Sequence, residues 1–301
     1  MRFSDFIKAN LSYLKATLPS RRPVLHDGGM LCDLHAHPYI HSRKTLIDTF
    51  DVMVRNNVSL LTLGTHGRGN AREYDFWEVK ELMQKEGIKF EDKGIAFTVK
   101  HHGKTLTLIG GYEPPIHFKG IVGKIDILTL MPDPDFQLHL KKDMMFKDYL
   151  KLSRRHNGIV IGAHCYTIGD PEGRNGIIKF RLANSEDKKI LKKSLFPFVD
   201  GLDTVSSNVL WMLRSNELIK EDYGKPLANS DAHSPSHHTR LEIGRSGNIM
   251  KLKPWKTGKD LRGQLRHIIK TKQFEPILNY TPPLQFFRAI AIEKEFGYHT
   301  R

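Results

Sequence analysis

Hydrophobic residues along this chain follow two alternating rhythms. Short runs dense in aliphatic and β-branched residues are separated by longer stretches in which apolar positions recur every three or four residues. The short runs are MLCDLH (30–35), SLLTLGTH (59–66), KIDILTL (124–130), GIVIGAH (158–164), DGLDTVS (200–206) and KPLANSD (225–231). A longer run, AFTVKHHGKTLTLIGGYE (96–113), divides at His102-Gly103 and predicts a hairpin. The helical rhythm is carried by Leu46, Phe50 and Val54 between about Lys44 and Asn57, then by Trp77, Val79 and Leu82. It returns near 140–156, 186–195 and 207–221. Strands alternating with helices predict a parallel α/β architecture.

The ends of the chain read differently. Phe3, Phe6, Ile7, Leu11, Leu14 and Leu18 form one stripe over residues 3–18, which predicts an amphipathic helix packed on the body. Residues 1–28 are therefore read as helix plus linker, 29–275 as the main α/β domain, and 276–301 as a helical tail packed on it. The loop from Tyr166 to Arg181 is polar and glycine-rich and follows a strand ending in His164, a place where loops often cap active sites.

Composition narrows the class. Of 301 residues, 39% are hydrophobic and 27% charged, so a large core is available and a disordered chain is excluded. No run approaches the length of a membrane-spanning helix, and the N-terminus lacks the unbroken apolar core of a signal peptide. Cys32 and Cys165 are too few for a disulfide framework. A reducing, cytoplasmic setting is expected.

The net charge of +14 favours anionic partners. Nine Lys or Arg residues and one acid, Asp260, lie between Arg245 and Lys272, and Lys259, Arg262, Arg266 and Lys270 repeat at helical spacing. That stripe reads first as a solvated face and, as the alternative, as a phosphate-tracking surface. Its single aromatic, Trp255, falls short of the interleaved aromatics that single-strand binders use for base stacking.

The chemistry sits at the predicted strand ends. His35 and His37 form an H-x-H pair, and alternation along a strand puts both imidazoles on one face. His66, Glu113, His164, Asp231 and His233 close other runs. A lone His at a strand end is ordinarily only a hydrogen-bonded polar residue, Glu113 could pair with a lysine, and Asp231 could cap a turn. Together, at the carboxyl ends of barrel strands, they form a metal-binding set. Imidazoles and carboxylates without thiolates suit zinc, manganese or iron(II). Cys165, next to His164 on a strand, should point away from such a site, and His101 and His102 should be solvated at their turn.

These motifs, D-L-H-A-H (33–37), T-H-G (65–67), G-Y-E (111–113), G-A-H (162–164) and S-D-A-H (230–233), resemble in order those of the PHP (polymerase and histidinol phosphatase) family. The resemblance implies a distorted (β/α)7 TIM-like barrel, two or three divalent ions and phosphoester hydrolysis. It implies that His35, His37, Glu113 and Asp231 hold one ion, that Glu113 bridges to a second with His164, and that His66 and His233 hold a third with help from His41. Three departures stand out: Thr65 replaces a frequent Asp, Asp203 in DGLD replaces a frequent Glu, and LTLMPDP (128–134) lacks a second-ion His, so that either Asp133 substitutes or that ion is weakly bound.

The expected activity is attack on phosphorus by a metal-activated hydroxide. The substrate is a small phosphate monoester, a nucleotide, an oligonucleotide or a nucleic-acid end. Arg174 and Arg240, with His237 and His238, are candidate phosphate contacts. No residue is assigned as the proton donor, and no oligomeric state is implied. Two alternatives remain: another metal-dependent barrel hydrolase, of the amidohydrolase or TatD-nuclease type, and a non-catalytic binding or scaffold module. The S-D-A-H ending fits the PHP pattern better than the first.

Overall fold

The computed structural model describes residues 28–66, 74–169, 180–205, 210–233 and 243–279. The predicted N-terminal helix and linker, residues 280–301 of the predicted tail, Arg174, Arg240, His237 and His238 lie outside these.

In chain order, β1 (Met30–Asp33) and β2 (Ala36–His37) precede α1 (Arg43–Arg55), β3 (Val58–Thr65) and α2 (Phe76–Lys85). Next come β4 (Glu91–Asp92), the hairpin β5 (Ala96–His101) and β6 (Lys104–Tyr112), β7 (Pro115–His117), β8 (Lys124–Leu130) and a 3-10 turn (Pro134–His139). The second half runs α3 (Phe146–Arg155), β9 (Ile159–Gly162), β10 (Thr167–Gly169), β11 (Phe180–Leu182), α4 (Ser185–Ser194), β12 (Gly201–Val205) and α5 (Leu210–Tyr223). It ends with β13 (Leu227–Asn229), β14 (Ala232–His233), β15 (Gly247–Met250), α6 (Gly258–Lys270) and β16 (Phe274–Ile277). The predicted strands and helices of the described region are present except at the start of the expected helical tail, where residues 276–277 complete strand β16. The apolar pattern does not predict the short strands β4, β7, β10, β11, β15 and β16, and β10 and β11 occupy the two ends of the expected 166–181 loop.

Local chemistry marks the helix starts. Ser42 with Thr45, Asp75 with Glu78, and Thr257 with Asp260 each form reciprocal capping boxes, which satisfy backbone N–H groups left over in a first turn.

Nine strands follow one another as β13-β12-β9-β8-β6-β3-β1-β15-β16, a mixed α/β sheet curled into a nearly closed barrel. β1, β3, β6, β9, β12 and β13 share one direction, whereas β8 is antiparallel to both its neighbours and β15 is antiparallel to β1 and β16. The expectation of an all-parallel barrel is corrected here. Period-two burial reads the same along a strand in either direction, so the pattern that located these strands carried no information on their sense.

The seam between β13 and β15 is sewn by side chains. The Asn248 amide donates to the Ala228 carbonyl (2.8 Å) and accepts from the Ala228 N–H (2.9 Å), while Asn229 Oδ1 accepts from the Leu34 N–H (3.0 Å). Asn248 is fully buried. Asn248→Ala would leave both Ala228 backbone groups without these partners, at about 1–3 kcal/mol for each buried group left unsatisfied. The expected loss of about 2–6 kcal/mol is read from the urea midpoint.

Cys32, Leu60, Ile109, Leu128, Ile159 and Ile161 fill the barrel interior together with Leu261, Leu265, Ile268 and Ile269 of α6. α1 and α2 pack outside β3 and β6, and α3, α4 and α5 cover the opposite side. Cys165 lies in that outer layer with Leu191, Leu195 and Leu202.

The basic helix α6 has a tertiary role that the sequence left open. Arg262, buried, donates to the Met131 carbonyl (2.9 Å) and to Asp133 (2.8 Å). Arg266 donates to the Asn157 and Gly158 carbonyls (2.6 and 3.0 Å), and Lys270 pairs with Asp200 (3.0 Å). These partners lie where β8 ends and β9 begins, the end of the barrel away from the histidines. The phosphate-tracking reading loses its main cations to this lacing.

Candidate metal centre

At the other end, backbone and side chains converge on Glu113. β6 delivers it just past Tyr112, and its N–H donates to the Thr65 carbonyl at the end of β3 (2.8 Å). Asp231 is tied to the first motif by its N–H to the His35 carbonyl (2.7 Å). Gly64 makes room. A Cβ there would stand 2.6 Å from the Ala36 carbonyl oxygen and 3.2 Å from the His37 ring, so only glycine lets β3 pass so close to the site. His164 and Asp231 both have left-handed backbones, φ 27° and 49°. For residues other than glycine that costs on the order of 1–3 kcal/mol each, and such strain recurs at functional sites.

The first group comprises His35, His37, Glu113 and Asp231, whose donor atoms all lie within 4.8 Å of one another. His35 Nε2 is 3.0 Å from Glu113 Oε2 and 3.4 Å from Asp231 Oδ1, and His37 Nε2 is 2.9 and 3.8 Å from the same two oxygens. Bonds of 2.0–2.1 Å at tetrahedral angles put neighbouring ligand atoms about 3.4 Å apart, so these spacings suit one ion among four donors.

The second group comprises Glu113, Asp126 and His164. His164 Nε2 lies 3.6 Å from Glu113 Oε1, the carboxylate oxygen turned away from His35 and His37. Glu113 thus offers one oxygen to each group.

Asp126 was not singled out in the sequence, and Asp133 is corrected as its stand-in. Because β8 runs backwards, its first residues, not its last, lie at the histidine end. The Asp126 carbonyl accepts from the Ala163 N–H (3.2 Å), one residue before His164. Asp133 follows the far end of β8, bound to Arg262 and Asn157. The one signal available was a lone acid inside the apolar run KIDILTL.

Asp203 supports both groups. Its Oδ2 accepts from His35 Nδ1 (2.7 Å), which leaves the Nε2 of that ring for the centre, and its Oδ1 accepts from the His164 N–H (2.7 Å). Asp203→Asn is expected to weaken metal affinity by about 10–100-fold, measured by chelator competition.

His66 stacks on His37 with centroids 4.1 Å apart, and its Nε2 is 3.9 Å from Glu113 Oε2. The backbone of His233 pairs with His37 in the β2–β14 ladder. His41 is exposed, with Nδ1 3.0 Å from the Tyr39 carbonyl, and belongs to neither group.

The electrostatics call for cations. Burial first, and the Glu113 charge second, push the Asp126 carboxyl up to about 6. Burial would lower the His35 imidazole, but the charges of Glu113, Asp231 and Asp203 lift it well above its ordinary value. His164 is raised against burial in the same way, by Glu113, Asp231 and Asp126. Burial would raise Glu113, but His35 and His37 hold it well below the usual carboxylate range. The carboxylates gather protons onto the imidazoles that face them, and divalent ions would take those places. His35 Nε2 and Glu113 Oε1 are also buried without a hydrogen bond, as donors aimed at an ion would be.

No protein-family model and no curated protein matches this sequence. Among solved structures, the fold is similar to that of PsfC from Pseudomonas syringae, at 11% identity and a TM-score of 0.57 over 90% of this chain and 100% of that one. It is also similar to the lesion-specific endonuclease PfuEndoQ from Pyrococcus furiosus, at 17% identity and a TM-score of 0.50 over 84% of this chain. The match spans 60% of the endonuclease chain. At these identities the likeness speaks for the fold. No helix among the described residues is long and apolar enough to cross a membrane.

Proposed function

We propose that this chain is a metal-dependent hydrolase of phosphate esters, of the PHP type, acting on a nucleotide, an oligonucleotide, a nucleic-acid end or a small phosphate monoester. The observation that carries the reading is Glu113, one carboxylate shared by two groups of donors. The fold likeness to an endonuclease and the excess of positive charge both favour a phosphate ester.

His35, His37, Glu113 and Asp231 would hold the first ion, Glu113, Asp126 and His164 the second, and His66 with His233 and His41 a third. Divalent zinc, manganese or iron held there supplies Lewis acidity toward the phosphoryl oxygens and a water acidified toward neutral pH. The protein's own part is placement. Asp203 fixes the His35 ring and the His164 backbone, so the donors need little rearrangement to meet their ions. Arg174 and Arg240 are proposed to hold the non-bridging oxygens. Asp126, as a second-ion donor, supports the hydrolase over a non-catalytic scaffold module.

The test is hydrolysis of mono- and bis-p-nitrophenyl phosphate by chelator-stripped protein reloaded with Mn(II), Zn(II) or Fe(II), with His35→Ala as control. Turnover restored by metal and absent from the variant supports the reading. Preference for the diester points to a nuclease, and for the monoester to a phosphatase. Stoichiometric metal without turnover on any phosphoester would return the weight to a binding module.

A further inference from the structure

A second set of metal-capable side chains lies far from Glu113. Asp51, on α1, meets His101 and His102 at the tip of the β5–β6 hairpin, and their donor atoms lie within 4.8 Å of one another. His101 Nε2 is 2.6 Å and His102 Nε2 3.2 Å from the same oxygen, Asp51 Oδ1, and the two rings are 4.2 Å apart. From this turn Glu113 lies the whole length of β6 away, roughly 30 Å at about 3.3 Å per residue.

The turn itself is unusual in composition. His102 and Gly103 have φ of 47° and 75°, the two left-handed positions of a tight hairpin turn at which Asn-Gly or Gly-Gly is the usual choice. A histidine in the first position accepts the strained backbone and delivers its ring to Asp51. His101 is anchored, with only 17% of its side chain exposed and its ring 5.6 Å from that of buried Phe50. His102 is open, 66% exposed, so coordination positions on that side face water. The nearby Lys104 ammonium is taken up by the Val54 carbonyl and Asn57 and leaves the Asp51 carboxylate to the imidazoles.

We infer that Asp51, His101 and His102 form a surface site for a borderline divalent ion such as Zn(II), with water completing the coordination. Two imidazoles and one carboxylate are a set that zinc uses with an open position. The spacing needed for bonds of 2.0–2.1 Å, about 3.4 Å, is nearly met by His102, and His101 requires an opening of less than about 1 Å. On binding, each ring presents an unprotonated Nε2 to the metal and keeps one hydrogen on Nδ1, and any excess proton passes to water. The ion would clamp the hairpin tip to α1 and stabilise the fold by mass action.

The experiment is Zn(II) titration of the full chain carrying Glu113→Ala, Asp231→Ala and His66→Ala, which takes a donor from every ion proposed at the central site, followed by calorimetry and thermal unfolding. Zn(II) is kept within a few equivalents of protein. The expected result is one bound equivalent and a raised Tm. Both should be lost in His102→Gly, a substitution that suits the left-handed turn, and in Asp51→Asn. The same two substitutions in the otherwise unaltered protein should remove one Zn(II) equivalent and leave phosphoester turnover unchanged. Equal stoichiometry with and without His102 and Asp51, or binding only at millimolar Zn(II), overturns the site. Either result leaves the central phosphoesterase reading untouched, because none of the three residues belongs to it.

Discussion

Glu113→Ala should abolish metal binding in both central groups at once and reduce kcat/KM at least about 10³-fold, equivalent to ~4 kcal/mol of lost transition-state stabilisation. The size follows from the shared carboxylate. Its Oε2 stands 3.0 and 2.9 Å from His35 and His37, and its Oε1 3.6 Å from His164, so one truncation removes a donor from each group. The buried imidazoles also lose the negative charge that Glu113 contributes, with Asp231 and Asp203, to holding the His35 proton affinity high. Metal content by mass spectrometry of the dialysed variant, with turnover on the preferred ester, checks this. A Glu113→Ala protein retaining two ions and full turnover would refute the assignment. Glu113→Gln, which keeps the shape and removes the charge, should behave nearly as badly, separating loss of charge from loss of packing.

The second large effect is at Asp126. Asp126→Ala should cost one ion and leave the other, because His35, His37, Glu113 and Asp231 remain in place. Turnover should fall to near background if both ions are needed, whereas the metal-free protein should be at least as stable as its parent. That contrast arises because burial and the Glu113 charge make the Asp126 carboxylate unfavourable before any cation arrives. Loading of the second ion should also weaken as pH falls through about 6, since protonated Asp126 must release its proton before it can bind metal. Asp133→Ala gives the opposite result, with metal and turnover retained and stability lowered, because Arg262 is buried and loses its carboxylate partner. If Asp133→Ala removed the ion and Asp126→Ala did not, the site would have been drawn on the wrong end of β8.

Much of this molecule could be read along the chain because the information was local. A strand or helix announces itself through the spacing of its apolar residues, and the capping residues Ser42, Asp75 and Thr257 stand beside the segments they start. The placement of His35, His37, Glu113, His164 and Asp231 together also followed from sequence, since each closes a recognisable strand and strands of common direction bring their ends to one face. What depended on pairing between distant segments was invisible. The sense of β8 decides whether Asp126 or Asp133 faces the histidines, yet the burial alternation of KIDILTL is the same in both directions. The basic stripe of α6 looked free until Arg262 and Arg266 met the carbonyls of Met131, Asn157 and Gly158. Asn248 and Asn229 read as ordinary polar residues until the barrel curled and each found backbone groups to satisfy across the seam. Periodicity belongs to single segments and is written in the sequence, whereas strand direction, register and the partners of buried polar groups exist only once remote segments have met.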